Sequence, residues 1–223
     1  MFAILLFTTP FLALDAEASK KHKGKGQSKI SLRIMETTDI HMNLLSYDYY
    51  KNSESPAIGL AKTATLIKQA RSEVKNSVLV DNGDLIQGNP FATYKAKIDP
   101  LGKKEVHPAI KAMNYLDYDI ATLGNHEFNY GLEFLDEVYN DAKFDFINAN
   151  VYIDDKDGNP NNDKNKYRPY KIVNKKVKDQ SGRTKIVKIG YIGFVPPQVN
   201  EWDKAHLDGK IITKDITKTA EKY

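Results

Sequence analysis

The sequence has no cysteine and a single tryptophan among its 223 residues. Without cysteine there are no disulfides, no thiolate metal sites and no cysteine nucleophile, so oxygen and imidazole remain as metal ligands. Long apolar runs are also lacking. The most apolar stretch, residues 1–14 with Phe2, Ile4, Leu5, Leu6, Phe7, Phe11 and Leu12, is too short to span a bilayer comfortably. A true excess of one charge is absent too. Five of the 33 basic residues lie in residues 19–29 and two of the 29 acidic ones precede them, so from Ile30 onward 28 basic residues face 27 acidic ones. Nothing in that balance suggests a stripe for a nucleic acid polymer. With 41% hydrophobic and 28% charged residues, what remains is a globular chain long enough for one domain with a real core.

What is present begins with Ala16-Glu17-Ala18, a small-x-small pattern after the apolar stretch. It predicts a signal peptide over residues 1–18 with cleavage before Ser19, although the positive charges that usually open one are missing. A buried N-terminal strand or a membrane anchor is the alternative. Export would leave a secreted, periplasmic or cell-wall-associated protein with no stable membrane span. Residues 19–29, with five lysines, Gly24 and Gly26, read as a flexible basic leader.

Periodicity then predicts an α/β chain. A first strand covers residues 30–37, where Ile30, Leu32 and Ile34 alternate with Ser31 and Arg33. A helix follows over 59–74, a short buried strand over 78–80, a helix over 108–116 opened by Pro108, and a third strand over 119–123. Residues 131–142 carry Leu132, Leu135, Val138 and Tyr139 on one helical face, and residues 146–151 give a fourth strand. Residues 170–177 and 185–195 flank a Ser181-Gly182 turn and predict a hairpin. A helix is predicted over 211–223. Residues 154–166 are rich in Asp, Asn, Gly and Lys. Their run Asp155, Asp157, Asn159, Asp163 lacks the Gly and terminal Glu of a calcium loop, so they read as a solvated turn.

Three successive strands end in residues able to bind metal: Asp39 and His41 after the first, Asp84 after the second, Asn125 and His126 after the third. In open α/β sheets these carboxyl ends line the binding crevice. An extended backbone through Asp39-Ile40-His41 would turn two side chains the same way, and Gly83 allows a tight turn before Asp84. A carboxylate has two oxygens and can bridge two cations, the arrangement used to hydrolyse phosphate esters.

These motifs resemble the calcineurin-like metallophosphoesterase superfamily, whose pattern runs Asp-x-His, Gly-Asp, Gly-Asn-His and two later His motifs. More narrowly, Thr37-Thr38-Asp39-Ile40-His41-Met42-Asn43, the run from Asp81 to Pro90 and the run from Gly124 to Leu132 are similar to the 5′-nucleotidase family. Tyr47-Asp48-Tyr49-Tyr50 and Asn129-Tyr130-Gly131 look most like its bacterial 2′,3′-cyclic-nucleotide 2′-phosphodiesterase/3′-nucleotidase branch. The resemblance implies a four-layer αββα sandwich, here incomplete at the C-terminus, with residues 30–223 as the N-terminal part of the catalytic domain. It implies two divalent ions of the Mn, Zn, Mg or Co class. Asp39 and His41 would hold the first, Asp84 both, and Asn125 the second, while Asn125 and His126 would also face the substrate phosphate.

On the same resemblance His126 is the catalytic group and not a ligand, stabilising charge or protonating the leaving oxygen. The family's 5′-nucleotidases orient that ring with an Asp three residues on. Here the position is Asn129, which favours hydrolysis of 2′,3′-cyclic nucleotides to 3′-nucleotides and then to nucleoside plus phosphate. A 5′-nucleotidase or nucleotide-sugar hydrolase, and an inactive fragment, are the alternatives. The later histidines have no counterpart: His22 is in the leader, His107 reads as a surface or helix-start residue, and His206 as structural or exposed. The expectation is a fragment whose C-terminal nucleoside-binding domain is missing. Trp202 reads as a packing aromatic.

Overall fold

The computed structural model describes residues 28–223 apart from Lys103, so the predicted signal peptide and most of the basic leader lie outside the described residues. The chain runs β1 (Arg33–Thr37), β2 (Tyr47–Asp48), β3 (Ser53–Glu54), α1 (Leu60–Ser72), β4 (Ser77–Asp81), α2 (Pro90–Lys97), α3 (Pro108–Tyr115), β5 (Ile120–Thr122) and a 3₁₀ turn (His126–Phe128). It continues through α4 (Leu132–Tyr139), β6 (Asp145–Ile147), β7 (Val151–Ile153), β8 (Tyr170–Lys178), β9 (Thr184–Ile192), α5 (Val199–Trp202), α6 (Lys204–Leu207), β10 (Ile211–Thr213) and α7 (Ile216–Lys222).

Four strands form a parallel sheet in the order β1-β4-β5-β6. Parallel neighbours require crossovers, and α1 to α4 supply them. Register pairs Met35 with Leu79, Asp81 with Ala121 and Ala121 with Phe146, which defines one face. That face packs on Leu60, Ile67, Ile110, Met113, Leu135 and Val138 from the helices. Leu135 and Val138 recur at the spacing that placed α4 on the core, and truncating a fully buried Leu135 to Ala would cost about 2–5 kcal/mol. The opposite face carries the antiparallel β8–β9 hairpin, tied to the sheet by the Lys175–Asp119 ion pair. A helix layer, the parallel sheet and this ribbon are the layers present among the described residues. No described helix is long and apolar enough to cross a membrane.

The structure corrects several local expectations. The first strand starts at Arg33, and its inward residues are Arg33, Met35 and Thr37, while Ile34 stands 67% exposed on the edge of the sheet. The predicted fourth strand is two strands. Between them the buried Asn148 accepts from the N–H of Asn150 and Val151, while the Asn150 amide bonds Val195 and Lys214. The chain is thereby bent out of the parallel sheet, and β7 pairs antiparallel with β10.

The helix predicted from residue 211 begins only at Ile216, where Asp215 caps it by accepting from Lys218 N at 2.8 Å. Residues 211–213 are a strand because β7 and the Asn200 amide take their backbone groups. His107 is a helix-start residue but not a surface one. It is fully buried against Phe134, and neither ring nitrogen has a hydrogen-bond partner. Burial, helped by the Lys95 ammonium, pushes its pKa down to about 4. Trp202 is not a packing aromatic, for it is 60% exposed. His206 is exposed.

Candidate metal centre

The loops after β1, β4 and β5 leave the same edge of the sheet and are laced together by backbone bonds. Asp39 N donates to Gly83 O at 3.0 Å, His41 N to Asp84 O at 2.9 Å and Met42 N to Leu85 O at 2.8 Å. Gly83 lies so close to the loop after β5 that a Cβ there would sit 2.1 Å from Gly124 N, and one on Gly124 would meet the Asp84 carboxylate at 2.3 Å. Only hydrogen fits at both positions. Beneath them Thr37 donates to Asp81 at 2.6 Å, and burial lifts the Asp81 carboxyl to about 7.

Asp39, His41 and Asp84 all take left-handed backbone, with φ of 52°, 47° and 57°. The extended geometry expected for Asp39-Ile40-His41 is therefore wrong. Their side chains converge through a strained turn, a conformation that non-glycine residues hold only when their surroundings impose it. The ladder to the β4 loop imposes it here.

Donor atoms of these three residues lie within 4.8 Å of one another. His41 Nδ1 is 2.7 Å from Gln87 O, and a carbonyl can only accept, so Nδ1 carries the hydrogen and Nε2 keeps a free lone pair. That Nε2 lies 3.7 Å from Asp39 Oδ1. Two carboxylates and an imidazole presented by the correct nitrogen fit a divalent ion.

The third loop supplies the rest. Asp84 Oδ1 accepts from His126 N at 2.8 Å, and the His126 ring stands edge-on to His41 with centroids 5.2 Å apart. Asn125 lies between Gly124 and His126, both of which touch the Asp84 carboxylate. His126 Nδ1 is 2.7 Å from Asn129 Oδ1. So the structure brings Asp39, His41, Asp84 and His126 together, with Asn125 in the same turn and Asn129 on the ring.

Two residues escaped the sequence reading. Glu127 is fully buried and accepts from Gly124 N at 2.6 Å, Asp84 N at 2.8 Å and Leu85 N at 2.6 Å, binding the β4 and β5 loops together. Burial raises its pKa against the pull of those donors. An acid wedged between His126 and the buried Phe128 was the available local signal. Asp203, nearly buried, accepts from the Asn129 amide at 2.9 and 3.1 Å. It is 74 residues away in sequence, and no local pattern points to it.

A second group, Asp155, Asp157 and Asp163, is equally close-set. Its acids are already engaged within the loop and by a lysine: Asp157 accepts from Asn159 N and the Asn162 amide, Asp155 Oδ1 from Asp157 N, and Asp163 Oδ2 stands 2.8 Å from Lys214 Nζ.

The model of the calcineurin-like phosphoesterase family matches residues 32–215. The chain belongs to that family. It is 50% identical over 222 residues to the 2′,3′-cyclic-nucleotide 2′-phosphodiesterase/3′-nucleotidase of Haemophilus influenzae, covering 99% of this chain and 32% of that protein. It is 53% identical over 194 residues to the protein of the same name from Salmonella typhimurium, covering 87% of this chain and 29% of that protein. Among solved structures, the calcineurin-like phosphoesterase YfkN from Bacillus subtilis superposes with a TM-score of 0.79 at 46% identity, over 86% of this chain and 57% of that one. The chain thus spans about a third of the length of these two curated relatives.

Proposed function

We propose that this chain carries the metal-binding loops of a hydrolase that opens 2′,3′-cyclic nucleotides to 3′-nucleotides and then releases nucleoside and phosphate. The activity is assigned to the full length seen in the relatives. The observation that carries the proposal is the meeting of the Asp39, His41 and Asp84 donors with the His126 ring at the end of one parallel sheet. Asp39, His41, Asp84 and Asn125 are the proposed ligands for two divalent ions. Bound there, such ions supply positive charge at the phosphoryl oxygens and acidify a water. Asn125 and His126 hold the phosphate. His126 hydrogen-bonds Asn129 through Nδ1 and so works through Nε2, steadying charge or giving a proton to the leaving oxygen. The cyclic-nucleotide reading draws support from the names of the relatives and from Asn129 in place of an acid.

A substrate panel tests the reading. A protein of the relatives' length, loaded with manganese, is expected to hydrolyse 2′,3′-cyclic and 3′-nucleotides in preference to 5′-nucleotides. Turnover confined to 5′-nucleotides would overturn it. Export belongs to the same proposal and rests on residues 1–18. Sequencing the N-terminus of protein recovered outside the cytoplasm is expected to read from Ser19.

A further inference from the structure

We propose that Asp203, held between α5 and α6, is a positioning residue that sets the tautomer of His126 through Asn129. The inference rests on the role given to His126 above.

Both Asp203 oxygens face Asn129 Nδ2, at 2.9 and 3.1 Å. A carboxylate offers only acceptors, so it fixes the amide with its nitrogen towards Asp203 and its oxygen towards His126. The amide oxygen, 2.7 Å from His126 Nδ1, accepts in turn and cannot donate. Nδ1 must therefore hold a hydrogen whether the ring is neutral or protonated, so the proton that comes and goes is the one on Nε2, the nitrogen assigned to the phosphate. Neutral histidine free in water favours the opposite form, with hydrogen on Nε2, so the preference has to be imposed. Asp203 is suited to impose it. The residue is 8% exposed, and its own carbonyl anchors α6 by accepting from His206 N and Leu207 N. An Asp at position 129 would turn the ring directly. Here the charge stands one residue further out and the amide transmits its direction.

Nitrogen NMR of ¹⁵N-histidine-labelled, zinc-loaded protein at a pH where the ring is neutral reads the tautomer without relying on activity. The expected result is hydrogen on Nδ1 of His126 in the parent and a shift towards Nε2 in Asp203→Ala. The exchange Asn129→Asp with Asp203→Asn reverses donor and acceptor between the two positions and is expected to restore the Nδ1 form. The near-isosteric Asp203→Asn, which can offer Asn129 either face of its amide, keeps the idea testable if Asp203→Ala does not fold: it is expected to give a mixture of the two forms, and a pure Nδ1 form in it would overturn the proposal. In turnover, Asp203→Ala should lower kcat roughly 10–100-fold with little change in KM, the usual cost of losing an outer partner. It should cost nothing further in a His126→Ala background.

Retention of the Nδ1 form in Asp203→Ala, or equal losses with and without His126, would overturn the proposal. Full turnover by His126→Ala would instead remove the function assigned to the ring, whatever the spectra show. The two failures are therefore separable.

Discussion

Two trios of side chains among the described residues bring donor atoms within 4.8 Å of one another, Asp39 with His41 and Asp84, and Asp155 with Asp157 and Asp163. They are built in opposite ways. The first trio stands on strand ends whose backbone is strained, laddered and clamped by Glu127, and its His41 is turned by a second residue to offer Nε2. The second is a run of turns in which Asp155 and Asp157 each accept from the N–H two residues on, and Lys214 neutralises Asp163. Proximity of carboxylates is common to both. What separates them is whether the surrounding structure holds donors open for a ligand or spends them on the loop itself.

The hardest test of that difference is Asp84→Asn. Asp84 is the residue proposed to serve both ions, so metal content and turnover should fall together, and by more than for Asn125→Ala. Metal analysis beside kcat checks it, and an Asp84→Asn protein with both unchanged would erase the distinction. His126→Ala comes next. It should cost roughly 10²–10⁴ in rate, the range for a proton-transfer group, with metal content nearly unchanged. Loss of a metal equivalent would make His126 a ligand instead.

Glu127→Ala probes the clamp and not the donors. It strands the N–H groups of Gly124, Asp84 and Leu85, and each buried unpaired donor costs about 1–3 kcal/mol. A drop in urea midpoint, together with weaker metal affinity, is expected. Unchanged affinity would mean that the loops keep their shape without the clamp.

Much of this was legible in the sequence because the chemistry is local to strand ends. Asp39, His41, Asp84, Asn125 and His126 sit in short motifs with glycine where the backbones touch, and periodicity placed α1, α3, α4 and the β8–β9 hairpin closely. The misreadings share a cause. Ile211 and Ile212 suit a strand or a helix, and only pairing with distant Tyr152 and Ile153 decides. Ile34 fits the alternation, yet the edge position leaves it uncovered. His107 beside Pro108 reads as a helix start, and nothing nearby tells that Phe134 will bury it. Asp203 is the extreme case, a side chain whose only marker is a contact across the fold.

The fold's own response to acid must be known before pH can be used to compare the two trios. His107 is neutral and buried, with its pKa lowered from 6.5 to about 4. Between those values the unfolded chain binds more protons, so stability is lost as pH falls through the window. The full loss is about 3 kcal/mol at roughly 1.4 kcal/mol per unit. Asp81, raised to about 7, slopes the other way between about 4 and 7, so the measurement is the difference between the parent and His107→Leu in urea unfolding at several pH values. Parallel curves would show that His107 does not titrate as its burial requires.

The smallest effect is predicted for the acidic loop, and it is the one that could collapse the comparison. Asp157 is exposed, and its pKa is lowered chiefly by the Asn162 amide and then by Asn159 N, so each of its oxygens already accepts a hydrogen bond. Asp163 is turned to Lys214, whose ammonium would repel a divalent ion placed among the three acids. Asp157→Asn should therefore leave calcium, manganese and zinc binding unchanged and shift stability by no more than about 0.5 kcal/mol, as surface changes usually do. Isothermal titration of the parent and the variant decides it. A binding step lost on Asp157→Asn would mean that the loop exchanges its internal bonds for an ion, and that open donors are not what marks a centre in this protein.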